Sequence, residues 1–516
     1  MLVSGIEYCD YPNDRGYSLI FFDPPRRLCV TLIAVAVFLM NGPTLGEPWL
    51  PPGDTLLRSD IQLLADSGVL RVPITTWPLS WSNIDAAVDN ASIADLDSVV
   101  AQALQRIRDR LRVERRTGSA GIEGWLAASS EPRVIRNFEN TPREKGEIGA
   151  RMAWMGQRFA AKIETRTISN PSDQDSFRLD GSYVGMAVGN WMLSLGYPEQ
   201  WWGPGWDGSL ILSTNARPAP QISINRNLST PFESRWLRWV GQWSLTSFMS
   251  QLDDNRFIED AMLFGLRVTA TPLSGLEIGL SRSAQWCGAG RPCDAEAFSN
   301  LLLGRDNVGV NVAKGQEPGN QLGGMDLRWA SPVGHLPYAV YLQWIGEDSR
   351  QGGPQIGSWL RQLGVEFWGK GPGRGWQHRT HAEVADTMCR EGGIGFGGAK
   401  PHCAYSHYIY QTGYRYRERP IGHGIDGDRL SYSVGSTLLD SRGNSLSVLA
   451  RRIAGHNVQG SLLAIPKKMA ELSVSYRRQF SLGSLSVGVE YSRFRQDSAE
   501  SATDGSLEWW ARFTTR

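Results

Sequence analysis

Two periodicities divide the chain. Between residues 47 and about 117, apolar side chains recur at helical spacing. Asp54 can cap a segment in which Leu57, Ile61 and Leu64 share one face, and Gly68 supplies the stop. A link rich in proline and tryptophan, Pro73 to Trp81, leads to a second segment. There Ser92-Ile93-Ala94-Asp95 has the spacing of a capping box. Ile93, Leu96, Val100, Ala103, Leu104, Ile107 and Leu111 then follow a 3.6-residue period, with Arg108 and Arg112 facing away. This predicts a small amphipathic helical unit that packs on something larger.

From about Gly121 the period becomes two. Leu276, Ile278 and Leu280 alternate with Glu277, Gly279 and Ser281. Tyr338, Val340, Leu342 and Trp344 alternate with Ala339, Tyr341 and Gln343. Leu485, Val487, Val489 and Tyr491 alternate with small or polar residues. In a soluble sandwich the apolar faces would meet in a core. In an outer-membrane barrel they meet lipid, and the polar face meets the lumen. Two features favour the barrel. The tail places Leu507, Trp509, Ala511 and Phe513 on one face, as in an aromatic-ended closing strand, although Thr514-Thr515-Arg516 follow it. Trp329, Trp344, Trp359 and Tyr491 lie near strand ends, where interfacial girdles form. About 400 residues remain after the helices. At roughly 20 to 25 residues per strand with its share of connection they make about 16 to 20 strands. Gly315–Gly324, Gly352–Gly357, Gly369–Gly375 and Gly392–Gly398 are candidate long loops.

The first 46 residues read as a secretory leader. Arg26-Arg27 precede a 13-residue apolar run, Leu28 to Met40, and Thr44-Leu45-Gly46 offers small residues before a cleavage point after Gly46. The run is too short for a spanning helix, which needs about 20 apolar residues. A buried core helix is the bland alternative, disfavoured by the arginines before the run and Gly42-Pro43 after it. The long stretch ahead of the arginines suggests a start codon placed too far upstream.

Composition narrows the partners. Lys+Arg number 53 and Asp+Glu 52, so no field of one sign exists to gather nucleic acid or anionic lipid. Mean hydropathy is −0.30, which excludes a bundle of membrane helices but not a barrel. Glycine, at 57, and tryptophan, at 20 against 16 phenylalanines, point to tight turns and strands with wide rings. Past the leader, four cysteines remain: Cys287, Cys293, Cys389 and Cys403. They allow three pairings. Short loop closure favours Cys287–Cys293 and Cys389–Cys403, and export favours disulfides. A zinc site is the alternative, but no C-x-x-C spacing is present.

The richest segment runs from Asn190 to Asn227. Trp201, Trp202 and Trp206 surround Gly203-Pro204-Gly205, with Asp207, Asn215 and Arg217 close by. Indoles beside Asn, Asp and Arg suit a sugar, whose CH face packs on the ring while its hydroxyls find partners. A structural cluster fixing an inward-folded loop fits equally well.

The string WWGPGWDGSLILS followed by NARPAP resembles the Wzi family of outer-membrane capsule-assembly proteins. PPGDTLLRSDIQLLADSGVLRVPITTWPLSW, WCGAGRPC, and CAYSHYIY with Cys389 upstream are similar to the same family. The resemblance covers nearly all of the chain after the leader. It implies an all-β fold, a transmembrane antiparallel β-barrel of 18 strands with a small N-terminal α-helical unit at the periplasmic mouth. The organisation expected is a leader over 1–46, helices over 47–117 and the barrel over 118–516. The two local cysteine pairs would be loop staples. The implied role is lectin-like: binding capsular or exopolysaccharide at the outer membrane and helping to attach or assemble it, as a single chain, without cofactor or catalysis, near polysaccharide export machinery. Trp201, Trp202, Trp206, Asp207, Asn215 and Arg217 are the candidate contacts. The rival readings are a diffusion porin and a secreted glycan hydrolase.

Catalytic motifs are sparse. His378, His381 and Glu383 form H-x-x-H-x-E, but on a strand residues 378 and 381 would face opposite ways, which disfavours a metal site, and they follow the Gly-rich GKGPGRGWQ, so a solvated loop is expected. His402 and His407 flank Cys403 as loop polarity. Asp207 with Glu199 could be a glycosidase pair, yet carboxylates beside aromatics are common in sugar binding without hydrolysis.

Overall fold

The computed structural model describes residues 46–515 except 90, 95, 119, 304–318, 332–335, 350–355, 374, 393–394, 456–464 and 496–502. The expected leader thus lies outside the described residues, save Gly46.

Three helices come first: α1 (Thr55–Asp66), α2 (Trp81–Val88) and α3 (Ser98–Glu114). Asp54 caps α1 as its position predicts, accepting from the backbone N–H groups of Leu56 and Leu57 at 3.0 Å. Gly68, at φ +74°, follows the stop. The second cap differs from expectation. Asp97, not Ser92, accepts from Val99 N–H and starts α3, so Ile93 precedes the helix and stays exposed. Arg108 faces away from the core as expected and donates to the Val88 and Ala91 carbonyls, which closes the end of α2.

Eighteen antiparallel strands then close a barrel. They are β1 (Ala120–Ser129), β2 (Gly146–Met155), β3 (Phe159–Ser169), β4 (broken into Phe177–Arg178 and Tyr183–Val188), β5 (Trp191–Gly196), β6 (Gln221–Arg226), β7 (Gln242–Gln251), β8 (Met262–Leu273) and β9 (Leu276–Trp286). After α4 (Ala295–Leu302) come β10 (Gly319–Ala330), β11 (Tyr338–Ser349), β12 (Ile356–Lys370), β13 (Gln377–Glu391), β14 (Arg429–Leu439), β15 (Ser445–Gly455), β16 (Lys468–Phe480), β17 (Gly483–Arg495) and β18 (Thr503–Thr515). The tail is the closing strand: β18 pairs with β17 on one side and with β1 on the other, Phe513 opposite Leu126. Closure removes the free edges that hydrocarbon would not tolerate.

The alternation has the polarity of a membrane barrel. On β9, Leu280 is 58% exposed on the outside while Glu277 is 6% exposed within. Val487, Val489, Tyr491, Leu507 and Trp509 likewise face out, and Arg267, Gln343, Glu366 and Arg451 face in. The Gly315–Gly324 stretch departs from the loop expectation, because Gly319, Gly323 and Gly324 are ladder residues of β10. Many glycines have another use. Inside the barrel, Trp125, Phe248, Tyr341, His381 and Trp510 each lie across a glycine directly opposite on the next strand: Gly149, Gly265, Gly364, Gly435 and Gly488. A Cβ on Gly364 would meet the Tyr341 ring at 2.2 Å. The missing side chain is the space the ring occupies.

The two mouths differ. One carries short turns, such as 189–190, 274–275 and 481–482. The other carries long connections: 130–145, 170–182, 197–220, 252–261, 287–318 and 392–428. The helices close the short-turn mouth. Arg328 of β10 joins Asp66 of α1 at 2.7 Å, and Gln377 of β13 joins Asp60 at 2.9 Å. The main apolar core is here, inside the barrel: Leu57, Ile61 and Leu64 of α1 and Leu104, Ile107 and Leu111 of α3 pack with Trp77, Phe138 and Trp201.

Leu280→Arg should destabilise the barrel in lipid vesicles by about 2–4 kcal/mol if the residue lies near mid-membrane; urea unfolding would measure it, and a loss near zero would place the outer face in water. Gly364→Val should cost about 1–3 kcal/mol by overpacking against Tyr341, and pairing it with Tyr341→Ala should recover part of that loss in the same assay.

Candidate functional site: a tryptophan plug gripped by the barrel wall

The connection 197–220 folds inward from the long-loop mouth. Trp201 and Trp202 form a two-residue ladder with Trp77 and Thr76 of the Pro73–Trp81 link. Gly203 continues it, donating to the Thr75 carbonyl at 3.0 Å, and adopts φ +137°, a conformation that favours glycine. Trp202 also bridges to Leu212, so the segment folds back on itself. Phe138, from the 130–145 connection, sits edge-on to Trp77 at 5.1 Å and to Trp201 at 5.2 Å.

Arg58 of α1 secures the turn. Its guanidinium lies 4.1 Å from the Trp206 ring centroid and 4.3 Å from that of Phe138. It donates to the Pro204 carbonyl at 2.7 Å and to Gly205 at 2.8 Å. On the other side His381 stacks on Trp206, 5.5 Å between centroids and 10° from parallel.

The wall completes the grip. Glu383 of β13 accepts from the backbone N–H groups of Trp206 and Asp207, from the Tyr341 hydroxyl at 2.6 Å and from the Gln362 amide at 2.8 Å. Gln343 accepts from Leu210 N–H at 2.7 Å and donates to the Trp202 carbonyl at 3.0 Å. Arg451 of β15 donates to Asp207 at 3.0 Å and to Glu471 at 2.7 Å. Glu277 of β9 accepts from Ile74 and Thr75 N–H at 2.8 and 3.0 Å. Asn215 accepts from Arg136 N–H and donates to the Pro420 carbonyl. Arg217 reaches three carboxylates of the 170–182 connection: Asp173, Asp175 and Asp180.

Cys287–Cys293 closes part of one long connection of the same mouth, and Cys389–Cys403 ties the end of β13 to the connection that follows it. Cys389, Cys403, Tyr405 and Tyr414 share a core with Trp202 and Leu210. Loop cap and plug are one packed body.

The family model described as capsule assembly protein Wzi matches residues 119–507. This chain belongs to the Wzi capsule-assembly family. An uncharacterized 55.8 kDa protein in the cps region of Klebsiella pneumoniae is 32% identical over 352 residues, 66% of this chain and 67% of that protein. The Escherichia coli Wzi barrel has the same fold, with a TM-score of 0.77 at 24% identity over 90% of this chain and 98% of that one. That protein is an outer-membrane, carbohydrate-binding β-barrel involved in group 1 capsule assembly.

Within this Wzi-family barrel, the tryptophan segment is interior. Trp201, Trp202, Trp206, Asp207 and Asn215 are buried, and Arg217 is nearly so. The structure brings the six together as one plug held from α1, β11, β13, β15 and the loops. His378 and His381 correct an expectation: both stand on β13, not in a loop, and His381 faces the buried lumen. The carboxylates Asp207 and Glu199 are each engaged by a separate arginine, Arg451 and Arg143. Among the described residues no cluster of three or more His, Cys, Asp or Glu is arranged to hold a metal ion. Sequence reading missed the roles of Arg58, Gln343, Tyr341 and Arg451, and it placed Glu383, noticed beside His381, in a solvated loop where the structure buries it on β13. Their only local signal is a polar or aromatic side chain at the inward position of an alternating strand or in a helix otherwise facing the core.

Two plug-region groups off the barrel strands make stability depend on pH. Burial alone would raise the Asp207 carboxyl from 3.8, but Arg451 holds it at about 2. Burial lowers His423 from 6.5 to about 4. Both bind fewer protons folded than unfolded, so stability falls with pH, first from 6.5 toward 4 and then from 3.8 toward 2. Thermal unfolding in detergent between pH 7 and 2 should show both losses. His423→Gln should flatten the upper one, and an unaltered curve would remove His423 from the account.

Proposed function

We propose that this chain binds a capsular or extracellular polysaccharide on its long-loop face and helps attach or assemble it at the cell surface. The observation that carries this reading, beside membership of the family, is the filled lumen. Tryptophans, ion pairs and helices occupy the interior, so a polymer is met at the rim, not threaded. Short turns on one side and long connections on the other suit a barrel whose helical unit, 47–117, faces the periplasm and whose loops face outward. Residues 1–46 serve as the export leader. The role is binding without catalysis, by a single chain, with polysaccharide export machinery as a neighbour.

The buried tryptophans then hold the loops in shape, with Asp207, Asn215 and Arg217 as their anchors. Direct contact falls to exposed rings on the cap: Phe257, 60% exposed, and Tyr408, 63% exposed. Their loops are tied together, since Phe257 N–H donates to Thr412 Oγ1 at 2.8 Å and Arg256 donates to the Arg415 carbonyl at 3.2 Å. Exposed Gln411, in the same loop as Tyr408, offers its amide. A sugar's CH face packs on such rings, and each contact is weak. A long polymer engaging many copies gains through effective concentration.

Deleting the gene should release polymer from cells into the medium. Phe257→Ala with Tyr408→Ala should lower retention several-fold while leaving the heat-modifiable gel mobility of the folded barrel unchanged. Full retention by the deletion strain would end the proposal. In planar bilayers the wild-type chain should conduct far less than an open porin of similar size, and porin-like conductance would favour a transport role instead.

A further inference from the structure

One turn at the short-turn mouth breaks the pattern of its neighbours. The β6–β7 connection, 227–241, is long and carries Trp236, 85% exposed, and Trp239, 70% exposed, on either side of exposed Leu237. Arg235 and Arg238 stand beside them, also exposed, and among the described residues neither forms an ion pair or side-chain hydrogen bond. Glu233 is the one acidic residue of the turn.

The base of this turn is firmly held. Arg226 stacks over Trp243 at 3.7 Å and donates to the Thr230 and Trp243 carbonyls at 3.0 and 2.8 Å. Phe232 stacks on the same Trp243 at 4.6 Å. Asn83 of α2 accepts from Ser229 N–H at 3.0 Å, and Asn190 exchanges two hydrogen bonds with Leu228. Arg238 and Val240 close a 3₁₀ turn that ends at Gly241, φ +69°. A Cβ on Gly241 would strike the Thr271 carbonyl, which seats the turn against the β8–β9 hairpin. Two large indoles are thus displayed on a rigid mount at a cost in exposed apolar surface, so something covers them.

Position and composition name the cover. Val188 at the end of β4 and Leu273 at the end of β8 are exposed at the same rim and continue the apolar outer belt. At that level indoles sit among lipid headgroups, and arginines reach phosphates. We propose that the Arg235–Trp239 turn is a headgroup anchor that binds anionic glycerophospholipid in the leaflet bordering the helix-filled mouth and fixes the barrel's depth there.

Native mass spectrometry of the full chain, released from detergent after titration with phosphatidylglycerol or phosphatidylcholine, tests this. Wild type should retain phosphatidylglycerol about ten-fold better than phosphatidylcholine. Arg235→Gln with Arg238→Gln should abolish that preference, and Trp236→Ser with Trp239→Ser should reduce retention of both lipids. Heat-modifiable gel mobility would confirm that every variant is folded. Equal lipid retention by wild type and variants would overturn the proposal. So would a wild-type dimer lost in the tryptophan variant, which would make the surface a contact between copies.

Discussion

Every inward charge of this barrel must be neutralised by something inside it, and that requirement organises the molecule. The wall turns Arg267, Arg328, Arg379, Arg451, Glu277, Glu366, Glu383 and Glu471 into a lumen from which bulk water is nearly excluded. Charges buried in this way are costly unless paired, and breaking a pair costs about 3–5 kcal/mol. Some pairs lie within the wall, as in Arg267–Asp326 and Arg379–Glu366. The others need the plug: Asp66 answers Arg328, Asp207 answers Arg451, and the backbone of Ile74, Thr75, Trp206 and Asp207 answers the glutamates. Barrel and plug are therefore not a container and its contents. Each satisfies the other's buried polar groups, and neither is complete alone.

A filled interior divides the work between the two mouths. Among the described residues, two of the long connections carry disulfides and several pack onto the plug, which suits a face that makes repeated weak contacts along a polymer. The opposite mouth is sealed by helices whose apolar faces meet Trp77 and Trp201 rather than lipid. The same tryptophans that suggest a sugar site in the sequence are what joins the two ends through the middle. They sit where α1, the Pro73–Trp81 link and the inward loop converge, and Arg58 ties α1 to the inward loop and to Phe138.

The composition has a second cause in the lumen. Glycine opposite an aromatic on the neighbouring strand lets the ring lie flat against the wall, leaving room for the plug. Five such cross-strand pairs, from Trp125 with Gly149 to Trp510 with Gly488, account for part of the unusual stock of both residue types. Turns use others, as at Gly275, φ +77°. The pairs are invisible in a linear reading, because each depends on register, and register depends on neighbours already in place.

What the chain declares unaided is what local physics decides. Alternation of apolar and polar residues specifies strands, and their outward polarity, because a strand's side chains alternate whatever it pairs with. Asp54 caps α1 through bonds two and three residues away. Short spacing favours the Cys287–Cys293 and Cys389–Cys403 closures over longer ones. Where a segment offers two local solutions the sequence misleads: Ser92 has capping spacing, but Asp97 starts the helix, and the glycines of 319–324 suit a loop as well as a strand. The plug's grip lay beyond reach. Glu383 meets Trp206 across 177 residues, and Arg451 meets Asp207 across 244. Burial of the tryptophans is likewise a property of the closed barrel. Nothing in the run from Trp201 to Arg217 states whether it faces solvent or wall; the closed wall, with its inward charges, decides that it turns inside.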